Sequence, residues 1–250
     1  MVRWGAMLDN VIYFASNPSA WHALLGWPKF SLTSHRVVSS LARQGIIPKT
    51  IIDVGANVGQ FTVACAKIFQ GVSIHSFEPL PGCVPQLRRN VDGLDGVHVY
   101  PLALGEASGE VTMRVNSHSH SSSVLALGNR HKKAFPDARE IDAVKVNMST
   151  LDLVMKPIPL ERPVLLKLDV QGYEPQVLAG ATETLDRVDY VLLEASFRPL
   201  YEGEKTFTEI ARSMEQRGFA FLRPAGWLAD PRSGEILQMD ALFAKPGKGE

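Results

Sequence analysis

From residue 50 onward, short apolar runs alternate with amphipathic segments, and this rhythm limits the fold more than any other feature of the chain. Thr50–Val54, Val72–Phe77 and Val97–Pro101 read as buried strands. Between them lie a helix over Gln60–Phe69, with Phe61, Ala64, Cys65 and Ile68 on one face, and a second helix from Pro81 to about Val91. Pro85 is tolerated there only in the first turn. Further strands are expected at Val111–Val115, Ala143–Asn147, Val164–Asp169 and Tyr190–Glu194, with helices over Pro175–Leu185 and Phe207–Arg217. Strands separated by helices build a mostly parallel sheet covered on both faces. The last two runs, Phe219–Arg223 and Gln238–Ala244, leave no room for a helix, so they must pair antiparallel. The expected fold is a doubly wound α/β, Rossmann-like domain with a mostly parallel seven-stranded sheet ending in an antiparallel hairpin.

The stretch before this rhythm, residues 1–45, has helical character broken by Pro18 and Pro28 and holds three of the four tryptophans, Trp4, Trp21 and Trp27. It is expected to be a helical extension or cap on a domain over residues 46–250. Residues 116–142, rich in Ser, His and charge, interrupt the domain as a lid-like excursion. A chain of 250 residues suits one domain with an appendage. Lys plus Arg and Asp plus Glu both number 26, so nothing supports broad electrostatic binding of nucleic acid. The two cysteines, Cys65 and Cys83, lack the spacing of a zinc site or a disulfide framework. No apolar run is long enough for a membrane span and the first residues lack the pattern of a secretory signal. A cytoplasmic protein with no integral membrane segment is expected; the sequence does not speak to oligomeric state.

The first strand runs into Asp53-Val54-Gly55-Ala56-Asn57-Val58-Gly59 and then a helix. Glycines here let backbone approach a ligand at the carboxyl end of a parallel strand, where open α/β sheets bind. The turn departs from the dinucleotide pattern GxGxxG, because Asn57 stands at the middle glycine and Gly59 comes one residue early. A pyrophosphate needs that bare backbone. S-adenosylmethionine (SAM) has no phosphate but carries an ammonium, a carboxylate and a sulfonium, and an acidic Asp53 suits such a cation better. Glu78 ends the second strand, where a carboxylate accepts hydrogen bonds from ribose hydroxyls; by itself it indicates a ribose and not a particular cofactor. In Lys167-Leu168-Asp169-Val170-Gln171-Gly172-Tyr173-Glu174, Lys167 and Asp169 share one strand face. Glu174 either belongs to the site or only caps the helix that Pro175 opens.

These pieces, with Ala103-Leu104-Gly105, Ser149-Thr150-Leu151-Asp152 and Val177-Leu178-Ala179-Gly180-Ala181, resemble the FkbM-type methyltransferases over roughly residues 50–195. The resemblance implies methyl transfer from SAM to a hydroxyl of a sugar, glycolipid or other secondary metabolite. Asp53, Gly55, Asn57 and Gly59 would then cradle the amino-acid end of SAM, Glu78 its ribose, and the Ala103-Leu104 backbone its adenine. Family members often have Glu where this chain has Gln171, so that position receives no catalytic role. Asp169, His118 and His120 are the candidate bases, with Lys167 beside Asp169. Mg²⁺ is not expected, although Asp169 with Glu194 would supply oxygen ligands for it. The acceptor is expected to be a hydroxyl-bearing small molecule or glycan, gripped by the aromatic N-terminal stretch and the excursion. Two rivals share this pattern: a nicotinamide-dependent oxidoreductase, and a non-catalytic binding module on the same fold.

Overall fold

The computed structural model describes residues 10–116, 122–135, 139–230 and 233–247. The chain begins with a helix over residues 10–16 (α1), then α2 (Pro18–Gly26) and α3 (Leu32–Arg43). Pro18 starts α2 at a position whose N–H would have no helical partner, and Ser31 caps α3 by accepting from the Ser34 N–H.

The alternating region forms β1 (Thr50–Val54), α4 (Gln60–Ile68), β2 (Ser73–Phe77), α5 (Val84–Val91) and β3 (Val97–Tyr100). There follow β4 (Ala103–Leu104), β5 (Gly109–Asn116), α6 (Asn129–Ala134), β6 (Glu140–Ser149) and α7 (Leu151–Met155). The chain continues through β7 (Val164–Leu168), α8 (Glu174–Ala179), α9 (Thr182–Asp186), β8 (Tyr190–Ser196), α10 (Phe207–Gln216), β9 (Ala220–Ala229) and β10 (Ile236–Ala244).

Seven strands form one sheet in the order β3-β2-β1-β7-β8-β10-β9. All neighbours are parallel except β10, which runs antiparallel to both β8 and β9. The expected mixed sheet with its terminal hairpin is therefore the observed one. Every residue of the central strands β1 and β7 is buried, including Asp53 and Lys167 among their otherwise largely apolar residues. Pro224 and two register shifts fall in β9, an edge strand, where a missing N–H leaves no ladder bond unmade.

Two details differ from the sequence reading. β5 pairs antiparallel with β6, and β6 pairs parallel with β4, in a separate three-stranded sheet. The helix expected over Pro175–Leu185 is two short helices. The break comes at Gly180, where a Cβ would sit 2.0 Å from the Gly105 carbonyl oxygen, so main chain packs directly on main chain. The described part of the excursion packs on the body: Leu127 and Ala134 are buried with Leu200, Tyr201 and Leu237.

Candidate active site

The turns leaving β1 and β7 meet at the carboxyl edge of the sheet. Gly55 has φ +79, and a Cβ there would lie 1.9 Å from the Asp169 carbonyl oxygen. Any side chain would force the two turns apart, so glycine is a steric requirement of the site.

Beneath this contact sits Lys167, whose ammonium lies 3.1 Å from Asp53 Oδ1 and 3.3 Å from Asp169 Oδ2 and donates to the Gly55 carbonyl at 3.2 Å. Burial alone would lower its pKa, yet Asp169 and Asp53 raise it above the ordinary lysine value. The Asp53 side chain is wholly buried, and its second oxygen accepts from Thr62 Oγ1 at 2.7 Å. Asp53 lines neither cleft described below and faces Lys167, not an open cofactor space. Gly59 is likewise away from the clefts. Its φ of +95 starts α4, and its missing Cβ admits Leu87 of α5.

Two clefts open from this edge. The first encloses about 650 Å³, including its mouth, and is lined by Gly55, Asn57, Glu78, Ala103, Leu104 and Asp169 among others. Glu78 accepts from the Asn57 N–H at 2.8 Å with Oε2 and from the Leu80 N–H at 2.9 Å with Oε1. Burial pushes its pKa up to about 7 against the pull of those two N–H groups. A carboxylate has about four acceptor positions, so two N–H donors leave capacity for two hydroxyls. Phe77, Leu80, Leu102, Leu104 and Val124 give the cleft an apolar part of its lining.

The second, larger cleft shares Gly55, Asn57, Asp169 and Gln171 with the first. Asp169 stands at the junction with its side chain 37% exposed. Burial would raise its pKa, but Lys167, Gln171 and Glu194 together hold it below the usual carboxylate value. Glu194 is pushed well up by burial and then by the Asp169 charge, and the two carboxyl groups are hydrogen-bonded. Gln171 lies at the centre of this network. Its amide nitrogen donates to Asp169 Oδ1 at 2.8 Å and to Glu194 Oε2 at 2.6 Å, and its amide oxygen accepts from Tyr201 Oη at 2.5 Å. The residue adopts φ +57, and Ser123 Oγ donates to its carbonyl. Glu204 fixes the turn that presents Tyr201 by accepting from the Leu200 and Tyr201 N–H groups.

The structure therefore brings Gly55, Asn57, Glu78, Ala103, Leu104, Lys167, Asp169 and Glu194 to one edge. His118 and His120 lie outside the described residues. Glu174 is buried, accepts from the Val170 N–H at 2.9 Å, and braces the turn behind the site. Asp152 accepts from the N–H groups of Glu183 and Thr184 and so caps α9, which makes Ser149–Asp152 a structural motif. Among the described residues no group of three or more His, Cys, Asp or Glu side chains is placed to hold a metal ion. None has a helix long and apolar enough to cross a membrane. Sequence reasoning missed His131, Tyr201 and Asp240, all of which line the larger cleft. No local pattern marks these three, whereas Gln171 stood inside a motif already singled out.

The sheet order is that of a Rossmann-like α/β fold, with the clefts at its carboxyl edge. The methyltransferase FkbM domain matches residues 53–221, more than half of the chain, and the protein belongs to that family. The chain is 26% identical over 183 residues to 2-O-methyltransferase NoeI of Sinorhizobium fredii, covering 71% of this chain and 74% of that protein. It is 29% identical over 205 residues to methyltransferase sdnD of Sordaria araneosa, covering 72% and 77%. It is 28% identical over 144 residues to hexuronic acid methyltransferase AglP of Haloferax volcanii, covering 57% and 54%. A solved SAM-dependent methyltransferase from Aquifex aeolicus aligns over 83% of this chain and 89% of that one, with a TM-score of 0.45 and 13% identity.

Proposed function

We propose that this methyltransferase uses SAM and methylates a hydroxyl of a sugar or sugar-bearing metabolite. The observation that carries the reading is the junction of the two clefts at Gly55, Asn57, Asp169 and Gln171. A cofactor held in the first would meet an acceptor held in the second beside the Asp169 carboxylate.

The donor set of the first cleft fits SAM. Glu78 keeps free acceptor positions for the ribose, the apolar lining that includes Leu80 and Leu104 suits the adenine, and the open backbone at Gly55 and Asn57 suits the amino-acid end. Bound there, SAM supplies a methyl group already activated on a sulfonium. The protein's share of the work is then alignment and removal of one proton. Asp169 accepts the hydroxyl proton, Lys167 keeps it ionised, and Gln171 holds its direction. Residues 1–45 contribute Lys29, Phe30, Ser31, Thr33, Ser34 and Val37 to the larger cleft, consistent with a cap over the acceptor. Relatives named for 2-O-methyl transfer and for hexuronic acid methylation support a sugar hydroxyl as the target.

The test is methyl transfer from labelled SAM into an extract of the native organism, with Asp169→Asn alongside. The variant is expected to retain SAM affinity and lose most turnover, the pattern of a lost transition-state interaction. Affinity falling in step with rate would make Asp169 a cofactor or structural residue. Thermal stabilisation by NAD and not by SAM would overturn the cofactor reading.

A further inference from the structure

We infer that the larger cleft is built for a polyhydroxylated acceptor that carries a protonated amine, seated at Asp240 and Glu194. This rests on the reading of that cleft as the acceptor site of a sugar methyltransferase and adds the charge of the acceptor.

The pairing of β8 with β10 sets Asp240 directly opposite Glu194, and both line the cleft. Burial and the surrounding carboxylates push both groups above their ordinary values, so Glu194 keeps its proton and Asp240 is the carboxylate here that ionises without a cation beside it. Among the described residues, neither has a basic side chain within 4 Å, and Asp240 accepts no hydrogen bond. Lys167 is already engaged with Asp53, Asp169 and Gly55. Lys29, the other lysine of the wall, forms no ion pair among the described residues. Glycine at 226 leaves room for this carboxylate, since a Cβ there would lie 2.5 Å from Asp240 Oδ2.

A second observation comes from the excursion. His131 on α6 is only 5% exposed, belongs to the wall of the same cleft, and its Nδ1 has no hydrogen-bond partner. Burial lowers its pKa, which favours the neutral ring, and the buried nitrogen is left unsatisfied in the wall of the cleft. Phe30, Phe61 and Phe135 supply aromatic surface for the apolar faces of a sugar.

The chemistry favours an ammonium over its competitors. Gln171 and Gln238 both turn amide N–H groups toward Glu194, at 2.6 and 3.1 Å, whereas a hard metal ion needs a shell of oxygen atoms. An ammonium donates three hydrogen bonds and accepts none, which suits the Asp240 carboxylate, with Glu194 beside it already engaged by the two amides and Asp169. A carboxylated or phosphorylated acceptor would instead meet Asp169, Glu194 and Asp240 with Lys167 already taken.

The experiment titrates the S-adenosylhomocysteine-bound protein by calorimetry with neamine, a two-ring aminated polyol, and with its per-N-acetylated form. Both share one skeleton and one set of hydroxyls. The amine is expected to bind at least about tenfold tighter, the equivalent of one charged hydrogen bond. Asp240→Asn should erase that preference and leave S-adenosylhomocysteine affinity unchanged. In the wild type, the preference should fade as pH drops through about 6, where Asp240 takes up a proton in a wall that also presents Glu194, Asp169, Lys167, Tyr201 and His131. That measurement needs no variant. Equal affinity for the two compounds, binding of neither, or a preference that survives at low pH overturns the amine. Intact S-adenosylhomocysteine binding would leave the methyltransferase reading standing; its absence overturns both.

Discussion

Replacing Lys167 by methionine should destabilise the protein by about 3–5 kcal/mol, the cost of removing one partner from a buried ion pair. The value follows from burial. The Lys167 side chain is 10% exposed and that of Asp53 is 0%, so their 3.1 Å pair has almost no screening solvent. The Asp169 limb adds little, because that carboxylate is 37% exposed and can be rehydrated. Methionine preserves most of the aliphatic volume against Phe61 and leaves Asp53 buried with only Thr62 as a donor. Urea unfolding of four proteins gives the answer: wild type, Lys167→Met, Asp53→Asn and the double variant. The double variant should cost less than the two singles added together, because the unpaired buried charge is gone. A single-variant loss below about 1 kcal/mol, or strict additivity, would refute the argument that this pair is a desolvated structural unit.

Gly55→Ala should lose SAM binding outright, since its Cβ would lie 1.9 Å from the Asp169 carbonyl oxygen at a positive φ; calorimetry with a near-native circular dichroism spectrum checks this. SAM affinity should rise with pH through about 7, because Glu78 is half protonated there and ribose hydroxyls favour its charged form. Binding should release protons, seen as calorimetric heats that depend on the buffer, and Glu78→Gln should remove the dependence. Glu174, pushed up to about 8 by burial, contributes stability that is fully present below the ordinary carboxylate range and lost as pH rises through about 8. Relative to Glu174→Gln, wild-type urea midpoints should therefore fall across that window, by at most about 1.4 kcal/mol per pH unit.

The linear pattern determined the sheet and the position of its ligand edge. Thr50–Val54 and Val164–Leu168 read as central strands, because each is a largely apolar run bounded by turn residues, with Asp53 and Lys167 its only charges, and runs buried on both faces belong to parallel sheets. Gly55, Asn57, Glu78 and Asp169 were legible for the same reason: each ends a strand, and strand ends of a parallel sheet gather at one edge. What each side chain does there was decided by tertiary structure. Asp53 and Glu78 both looked like cofactor carboxylates, yet Asp53 is locked to Lys167 while Glu78 opens to the cleft. That difference arises from which face of β1 packs on α4 and β7, a fact no local spacing encodes. Gln171 looked inert until folding brought Asp169, Glu194 and Tyr201 around one amide. His131 and Asp240 carry no motif at all. They enter the site only because α6 folds back onto Tyr201 and because β10 reverses beside β8. Hydrophobic periodicity is local and survives in one dimension, whereas a cleft is made by residues far apart in sequence whose meeting depends on the completed sheet.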